Sequence, residues 1–183
     1  MQHLEREFKS ALTKEEYELL INKFDLKNKI YIQTNYYFDT LNHDLRNSHD
    51  TLRIRVKEIN NHLTYKKETD EGQFETTIVL DNDDANNKIQ NGFDANELGI
   101  NHFVQVVAKL KTSRTRFKYD CGEIFIDKND YYGITDYEIE FEINENVTKK
   151  EGEKSFLKFL EDNNLVFKKQ ISKIQRAYKM GNN

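Results

Sequence analysis

Four segments of this chain alternate charged with apolar residues, and each keeps its charges mostly to one sign. Leu4-Glu5-Arg6-Glu7-Phe8-Lys9 and Tyr137-Glu138-Ile139-Glu140-Phe141-Glu142 carry carboxylates, whereas Leu52-Arg53-Ile54-Arg55-Val56-Lys57 and Arg114-Thr115-Arg116-Phe117-Lys118 carry cations. Side chains two apart on a β-strand share a face, so each segment lays a charged row on one side and an apolar row on the other. Two carboxylates about 7 Å apart on such a row repel by roughly 2 kcal/mol at an effective dielectric near 20. A surface strand can relieve that repulsion by mixing signs. Repeated rows of one sign suggest an enclosed site, where a cation or a polyanion supplies the missing counter-charge.

Two arrangements satisfy this pattern. In one, the apolar faces (Leu4 and Phe8; Leu52, Ile54 and Val56; Ile139, Phe141 and Ile143) form the core and the charges meet water, as in any one-sided antiparallel sheet. In the other, the charged faces line a hollow barrel and helices cover its apolar outside. Composition bears on the choice: hydrophobic residues are 37% of the chain and charged residues 33%, a low apolar share for a compact barrel unless part of its interior is polar.

The 183 residues show no repeat, no linker and no proline, and are expected to form one domain spanning 1–183. The other regular elements are readable. Thr13 with Glu16, and Thr148 with Glu151, are capping boxes. Tyr17, Leu20, Ile21 and Phe24 follow the first, while Phe156, Leu157, Phe159 and Leu160 follow the second. Helical spacing also predicts a weaker helix over His102 to Leu110, and Asp81 to Gly92 reads as a loop or a short irregular helix. Strands are expected at Leu4–Lys9, Asn35–Thr40, Thr51–Glu58, His62–Thr69, Gln73–Leu80, Thr112–Tyr119, Glu123–Lys128, Asp136–Ile143 and Ile171–Tyr178. Short connections at Asn60-Asn61, Asp70-Glu71-Gly72 and Cys121-Gly122 make the sheet largely antiparallel. The fold class is therefore α+β, on a sheet expected to close into a barrel.

Several functions are disfavoured. A net charge of −4 gives no global pull toward nucleic acid or anionic membrane, so any anion site is local. The sole cysteine, Cys121, excludes an internal disulfide and fits a reducing compartment; with no apolar leader or spanning run, a cytoplasmic protein is expected. The five histidines lack metalloprotease spacing, no serine lies in a Gly-x-Ser-x-Gly context, and there is no Walker A sequence. The rows themselves suggest chemistry. Clustered Glu side chains are hard oxygen ligands suited to Mg²⁺ or Mn²⁺, and Arg and Lys rows hold phosphate oxygens. Together they describe phosphoryl transfer or hydrolysis.

Glu5-x-Glu7-x-Lys9 resembles the signature of the CYTH family, the triphosphate tunnel metalloenzymes. Later segments follow in that family's order: Tyr36-Tyr37-Phe38-Asp39-Thr40, Leu52-Arg53-Ile54-Arg55, Leu63-Thr64-Tyr65-Lys66, the Arg114–Arg116 strand, Asp127, Gly133, Glu138-Ile139-Glu140 and Ser172-Lys173. The likeness is greatest to the small single-domain members of Gram-positive bacteria. It implies a closed eight-stranded antiparallel tunnel with a charged interior, flanked by helices, that binds a small-molecule triphosphate. It also implies roles by position. Glu5, Glu7, Asp127, Glu138 and Glu140 would face Mg²⁺ or Mn²⁺. Lys9, Arg53, Arg55, Lys66, Arg116 and Lys173 would hold phosphates, joined by Arg114 and Lys118. Glu5, Glu7 and Lys9 would serve catalysis, and Glu75 could line the tunnel beside Thr77. The strand after Ser172 departs from other branches at Ile174, Gln175 and Arg176.

Within that family, inorganic triphosphatase, thiamine triphosphatase and class IV adenylate cyclase share the metal-bound triphosphate as a handle. Nothing in the chain marks an adenine pocket, and no exposed aromatic clamp for thiamine stands out. Hydrolysis of inorganic triphosphate asks least of the protein and is the expected activity, with cyclase next. A non-catalytic polyphosphate-binding module is a further reading, opposed by the duplicated Glu-x-Glu. Oligomeric state is not legible.

Overall fold

The computed structural model describes residues 2–70 and 72–181. In chain order the elements are β1 (Gln2–Glu5), β2 (Glu7–Leu12), α1 (Lys14–Lys23), β3 (Tyr31–Asp39), α2 (Asp44–Asn47), β4 (Thr51–Val56), β5 (Asn61–Thr69) and β6 (Gly72–Leu80). After them come α3 (Asn82–Asn91), β7 (Phe93–Asp94), β8 (Phe103–Tyr119), β9 (Gly122–Tyr131), β10 (Ile134–Ile143), α4 (Lys149–Asp162) and α5 (Lys173–Gly181). The chain divides into two compact units. The first holds residues 1–4, 33–111 and 172–183, and the second holds 5–32 and 112–171.

In the first unit the strands run β1-β6-β5-β4-β3, with β8 beside β3. The β3–β4, β4–β5 and β5–β6 ladders are antiparallel. The β5–β6 connection includes Glu71, which lies outside the described residues. Register puts Arg53 opposite Thr64 and Tyr37, Arg55 opposite His62 and Asn35, and Lys66 opposite Thr51 and Glu75. Cross-strand partners share a face, so the polar rows of four strands combine. Their other faces send Phe38, Leu52, Ile54, Leu63 and Leu80 into a core with Ala85, Phe93 and Val104.

In the second unit the order is β8-β9-β10-β2. Ile124, Ile126, Ile139, Phe141 and Ile143 form one apolar face. Against it lie Tyr17, Leu20 and Ile21 of α1 and Phe156, Phe159 and Leu160 of α4. Both capping boxes form as the sequence predicts. Gly152 permits the close approach of α4, since a Cβ there would sit 2.5 Å from Ile143 Cγ2 and 3.1 Å from Phe8. Leu157, expected on the buried face, is instead exposed, and Ser155 takes the inward position.

Four expectations change. Among the described residues the sheet has ten strands rather than eight, and its ladder ends at β1 and β2 without closing by hydrogen bonds. Arg6 interrupts the expected Leu4–Lys9 strand. Residues 102–110 are not helical but open β8: the burial of Val104, Ala108, Leu110, Thr112 and Arg114 has period two, and the β-branched Val104, Val106 and Val107 suit a pleated sheet. The expected Ile171–Tyr178 strand is α5, started by reciprocal bonds from Ser172 N–H to Gln175 Oε1 (3.1 Å) and from Gln175 N–H to Ser172 Oγ (3.3 Å). Asp81–Gly92 settles as α3, with Asp81 as N-cap. Among the described residues no helix is long and apolar enough to cross a membrane.

Candidate active site

The polar face of the second unit gathers acids around one arginine. Asp127 on β9 lies opposite Glu138 on β10, and Glu140 lies opposite Lys9 on β2. Asp127, Glu138 and Glu140 are all buried, and each offers a carboxylate oxygen within 4.8 Å of the others, a set of donors that could hold a metal ion. Arg114 of β8 donates from Nε to Asp127 Oδ1 (2.7 Å) and from Nη2 to Asp127 Oδ2 (2.6 Å), and Nη2 also donates to Glu140 Oε2. Its guanidinium lies 4.6 Å from the Phe125 ring centroid. Burial works against the Arg114 charge, but Asp127 and Glu140 outweigh it and hold its pKa well above the usual arginine range. The guanidinium is fixed as a cation.

A neutral layer orients these acids. Asn129 Nδ2 donates to Glu138 Oε1 (3.2 Å) and Asp136 Oδ1 (3.0 Å), while Thr112 Oγ1 donates to Asn129 Oδ1 (2.8 Å). Tyr131 Oη donates to Asp136 Oδ2 (2.6 Å). Thr112 and Asn129 are wholly buried, so the layer is rigidly packed. Asn129 went unnoticed in the sequence, although period two from Asp127 puts it on the same face.

The other expected residues of this unit are spread more widely. Lys9 Nζ donates to Glu7 Oε1, and both stand on the β2 face that continues to Glu140 and Glu142 of β10. Glu5 and Glu7 lie outside the grouping of Asp127, Glu138 and Glu140. Along β8, exposure rises from buried Arg114 to exposed Arg116 and Lys118, and Arg116 Nη1 reaches Glu123 Oε2 at 3.2 Å. Arg114 alone of that row is enclosed by acids.

The polar face of the first unit is basic. Arg53 and Arg55 project from β4, with His62 and Lys66 on β5. Lys66 Nζ lies 3.2 Å from Glu75 Oε2, and Thr77 Oγ1 donates to Glu75 Oε1 (2.8 Å). Burial would raise the Glu75 pKa, but the charges of Lys66 and Arg53 pull it down to about 2. The His62 pKa is lowered as well, by burial and then by Lys57 and Arg55, which for a base favours the neutral imidazole.

Helix α5 brings Lys173 and Arg176, one turn apart and both buried. Arg176 was missed because the segment reads as a strand; the Ser172–Gln175 capping box is the signal that finds the helix. Asp39 anchors it. Its carboxylate accepts from the backbone N–H of Thr40 (2.8 Å), Leu45 (3.0 Å) and Arg46 (3.2 Å), and from Tyr178 Oη (2.9 Å). The Arg46 guanidinium covers the Tyr178 ring at 5.0 Å.

Comparison with known proteins gives this chemistry a family. A Bacillus subtilis (strain 168) protein named "Putative triphosphatase YjbK" is 32% identical over 192 aligned residues, which cover 97% of this chain and 95% of that protein. The crystal structure of a "putative adenylate cyclase" from Bacillus halodurans matches with a TM-score of 0.85 at 28% identity, over 96% of this chain and 97% of that one. A Hippeastrum protein, described as a "putative adenylyl cyclase" with a dominant triphosphatase activity, shares the fold at 21% identity, with a TM-score of 0.69 over 97% and 96% of the two chains. A family model for the CYTH domain matches residues 3–178, and the chain belongs to that family.

Proposed function

We propose that this protein is a metal-dependent triphosphatase that cleaves inorganic triphosphate to pyrophosphate and phosphate. The observation that carries the reading is the buried grouping of Asp127, Glu138 and Glu140 around Arg114, in a chain 32% identical to a protein named as a triphosphatase. Hard carboxylate oxygens within 4.8 Å of one another suit Mg²⁺ or Mn²⁺. Such an ion, when bound, neutralises charge on phosphate oxygens. The chain's own residues do the rest. On the polar face of the second unit Lys9, Arg114, Arg116 and Lys118 bind phosphate oxygens, and on that of the first unit Arg53, Arg55, Lys66 and Lys173 do so. Glu5 and Glu7 orient the attacking water, with Lys9 fixing Glu7 through their ion pair. Catalysis then rests on positioning and electrostatics rather than on a protein nucleophile. The reading takes the chain as a single cytoplasmic domain acting on a small molecule.

Similarity to the Bacillus halodurans protein described as a "putative adenylate cyclase" supports a second reading, cyclisation of ATP to cyclic AMP and pyrophosphate. One experiment separates the two. Purified protein is incubated with tripolyphosphate or ATP, with Mg²⁺ or Mn²⁺ or with excess chelator, and products are resolved by anion-exchange chromatography. Pyrophosphate and phosphate from tripolyphosphate, only with metal, are expected. Cyclic AMP from ATP with tripolyphosphate untouched overturns the choice.

A further inference from the structure

Strand β3 carries two carboxamides on its polar face, Gln33 and Asn35, which are 1% and 0% exposed. Register sets Asn35 opposite Arg55, and Tyr37, next on the same face, opposite Arg53. Asn35 Oδ1 accepts from Arg55 Nε at 2.9 Å, which fixes the amide so that Nδ2 points elsewhere. Among the described residues Asn35 Nδ2 has no hydrogen-bond partner, and neither has either polar atom of Gln33 or the Nε of Arg53. Leaving one buried amide unsatisfied destabilises a protein, and buried polar groups are nearly always bonded. Here three of the four atoms belong to Gln33 and Asn35, two apart on one strand face, and Arg55 and Arg53 stand opposite Asn35 and Tyr37 of that face.

Three of the four are donors and one is an acceptor. A ligand that satisfies them is rich in acceptor oxygens, and its negative charge is met by Arg53 and Arg55. Phosphate oxygens have that chemistry. We propose that Gln33 and Asn35 are substrate-binding residues, whose uncharged N–H groups bond non-bridging oxygens of the phosphate chain alongside Arg53 and Arg55. Gln33 Oε1 takes a hydrogen from a water bound with the chain. This inference rests on the triphosphate reading and adds to it two neutral residues, which fix direction without adding charge. Their signature is a trade between stability and binding, because groups left unmet in the empty protein are met by ligand.

The test uses Gln33→Met and Asn35→Leu, which remove the amides at similar volume, and Gln33→Glu, which keeps the shape but turns a donor into an anion. Tripolyphosphate binding is measured by titration calorimetry in excess chelator, so that no turnover occurs, and melting temperature is read on the same samples without ligand. Each apolar variant should bind tripolyphosphate roughly tenfold more weakly, and the ligand-free protein should melt at the same temperature or a few degrees higher. Gln33→Glu should bind more weakly still. Wild-type affinity together with a lowered melting temperature overturns the proposal, since the amides are then structural. If an apolar variant does not fold, Gln33→Glu binding as tightly as wild type overturns it equally. Failure of the wild-type protein to bind tripolyphosphate sinks the triphosphate reading first, and this inference with it.

Discussion

Arg114 and Asp127 meet through two parallel hydrogen bonds, of 2.7 and 2.6 Å, and the same guanidinium reaches on to Glu140. This places a fixed cation among carboxylates that could also hold a metal ion. Breaking a buried ion pair by removing one partner costs about 3–5 kcal/mol, because the remaining charge is stranded. Arg114→Met should therefore lower the melting temperature by on the order of 10 °C in excess chelator. If Asp127, Glu138 and Glu140 bind Mn²⁺, the added ion should recover much of that loss and raise the variant's melting temperature more than the wild type's. Thermal melts with chelator and with Mn²⁺ measure both shifts. Equal shifts in the two proteins would count against metal binding at these acids.

Glu138 tests the same grouping from the acid side. Asn129 holds one of its oxygens, so Glu138→Gln keeps volume and can keep that contact through its own carbonyl oxygen. Mn²⁺ affinity, read by electron paramagnetic resonance without substrate, should fall at least tenfold by analogy with losses at supporting residues. Glu7→Gln, outside the grouping, should keep most of that affinity while turnover drops about a hundredfold. Unchanged Mn²⁺ binding in Glu138→Gln contradicts the assignment.

The alternating rows made the polar faces of both units legible, because register is forced once one side of each strand must be apolar. Arg53, Arg55, Lys66, Asp127, Glu138 and Glu140 all stand where period two puts them. Period two could not tell which cations would be enclosed. Arg114 and Arg116 share a row, yet one is surrounded by acids and the other is solvated, a difference set by the neighbouring strand. The two mistaken elements fail for local reasons. Val106, Val107 and Leu110 fit helical and strand spacing alike, and from Ile171 to Tyr178 an apparent alternation hides the helix that the Ser172 and Gln175 bonds start. Gln33 and Asn35 were invisible because an amide on a strand announces nothing until its partners are counted.

Glu75 links the basic face to acid stability. Its pKa of about 2 lies below its ordinary value, so the folded state favours the carboxylate. That contribution is complete above about pH 4.5 and is lost as pH falls toward 2. Glu75→Gln should cost on the order of 2–3 kcal/mol at pH 7 and almost nothing near pH 2. Urea unfolding of both proteins across this range measures the difference. A gap that does not narrow on acidification would dissociate Glu75 from Lys66 and Arg53.

His62 gives the basic face a proton signature. It stands opposite Arg55, and burial, Lys57 and Arg55 lower its pKa, so the imidazole of the empty protein is neutral at pH 7. For a base with a depressed folded pKa, protonation opposes folding, and stability falls as pH drops below the unfolded value near 6.5. A polyanion bound by Arg53 and Arg55 reverses the local field and draws the His62 pKa upward. Binding should therefore take up a fraction of a proton around the ordinary histidine value of 6.5, and affinity should rise as pH falls through it. Tripolyphosphate exchanges protons of its own, so the informative quantity is the difference between wild type and His62→Gln. Calorimetry at pH 6.5 in two buffers of different ionisation enthalpy counts the protons. Wild type should take up more than the variant, and equal counts would mean that the phosphate chain binds beyond the reach of His62, away from the row formed by Arg53 and Arg55.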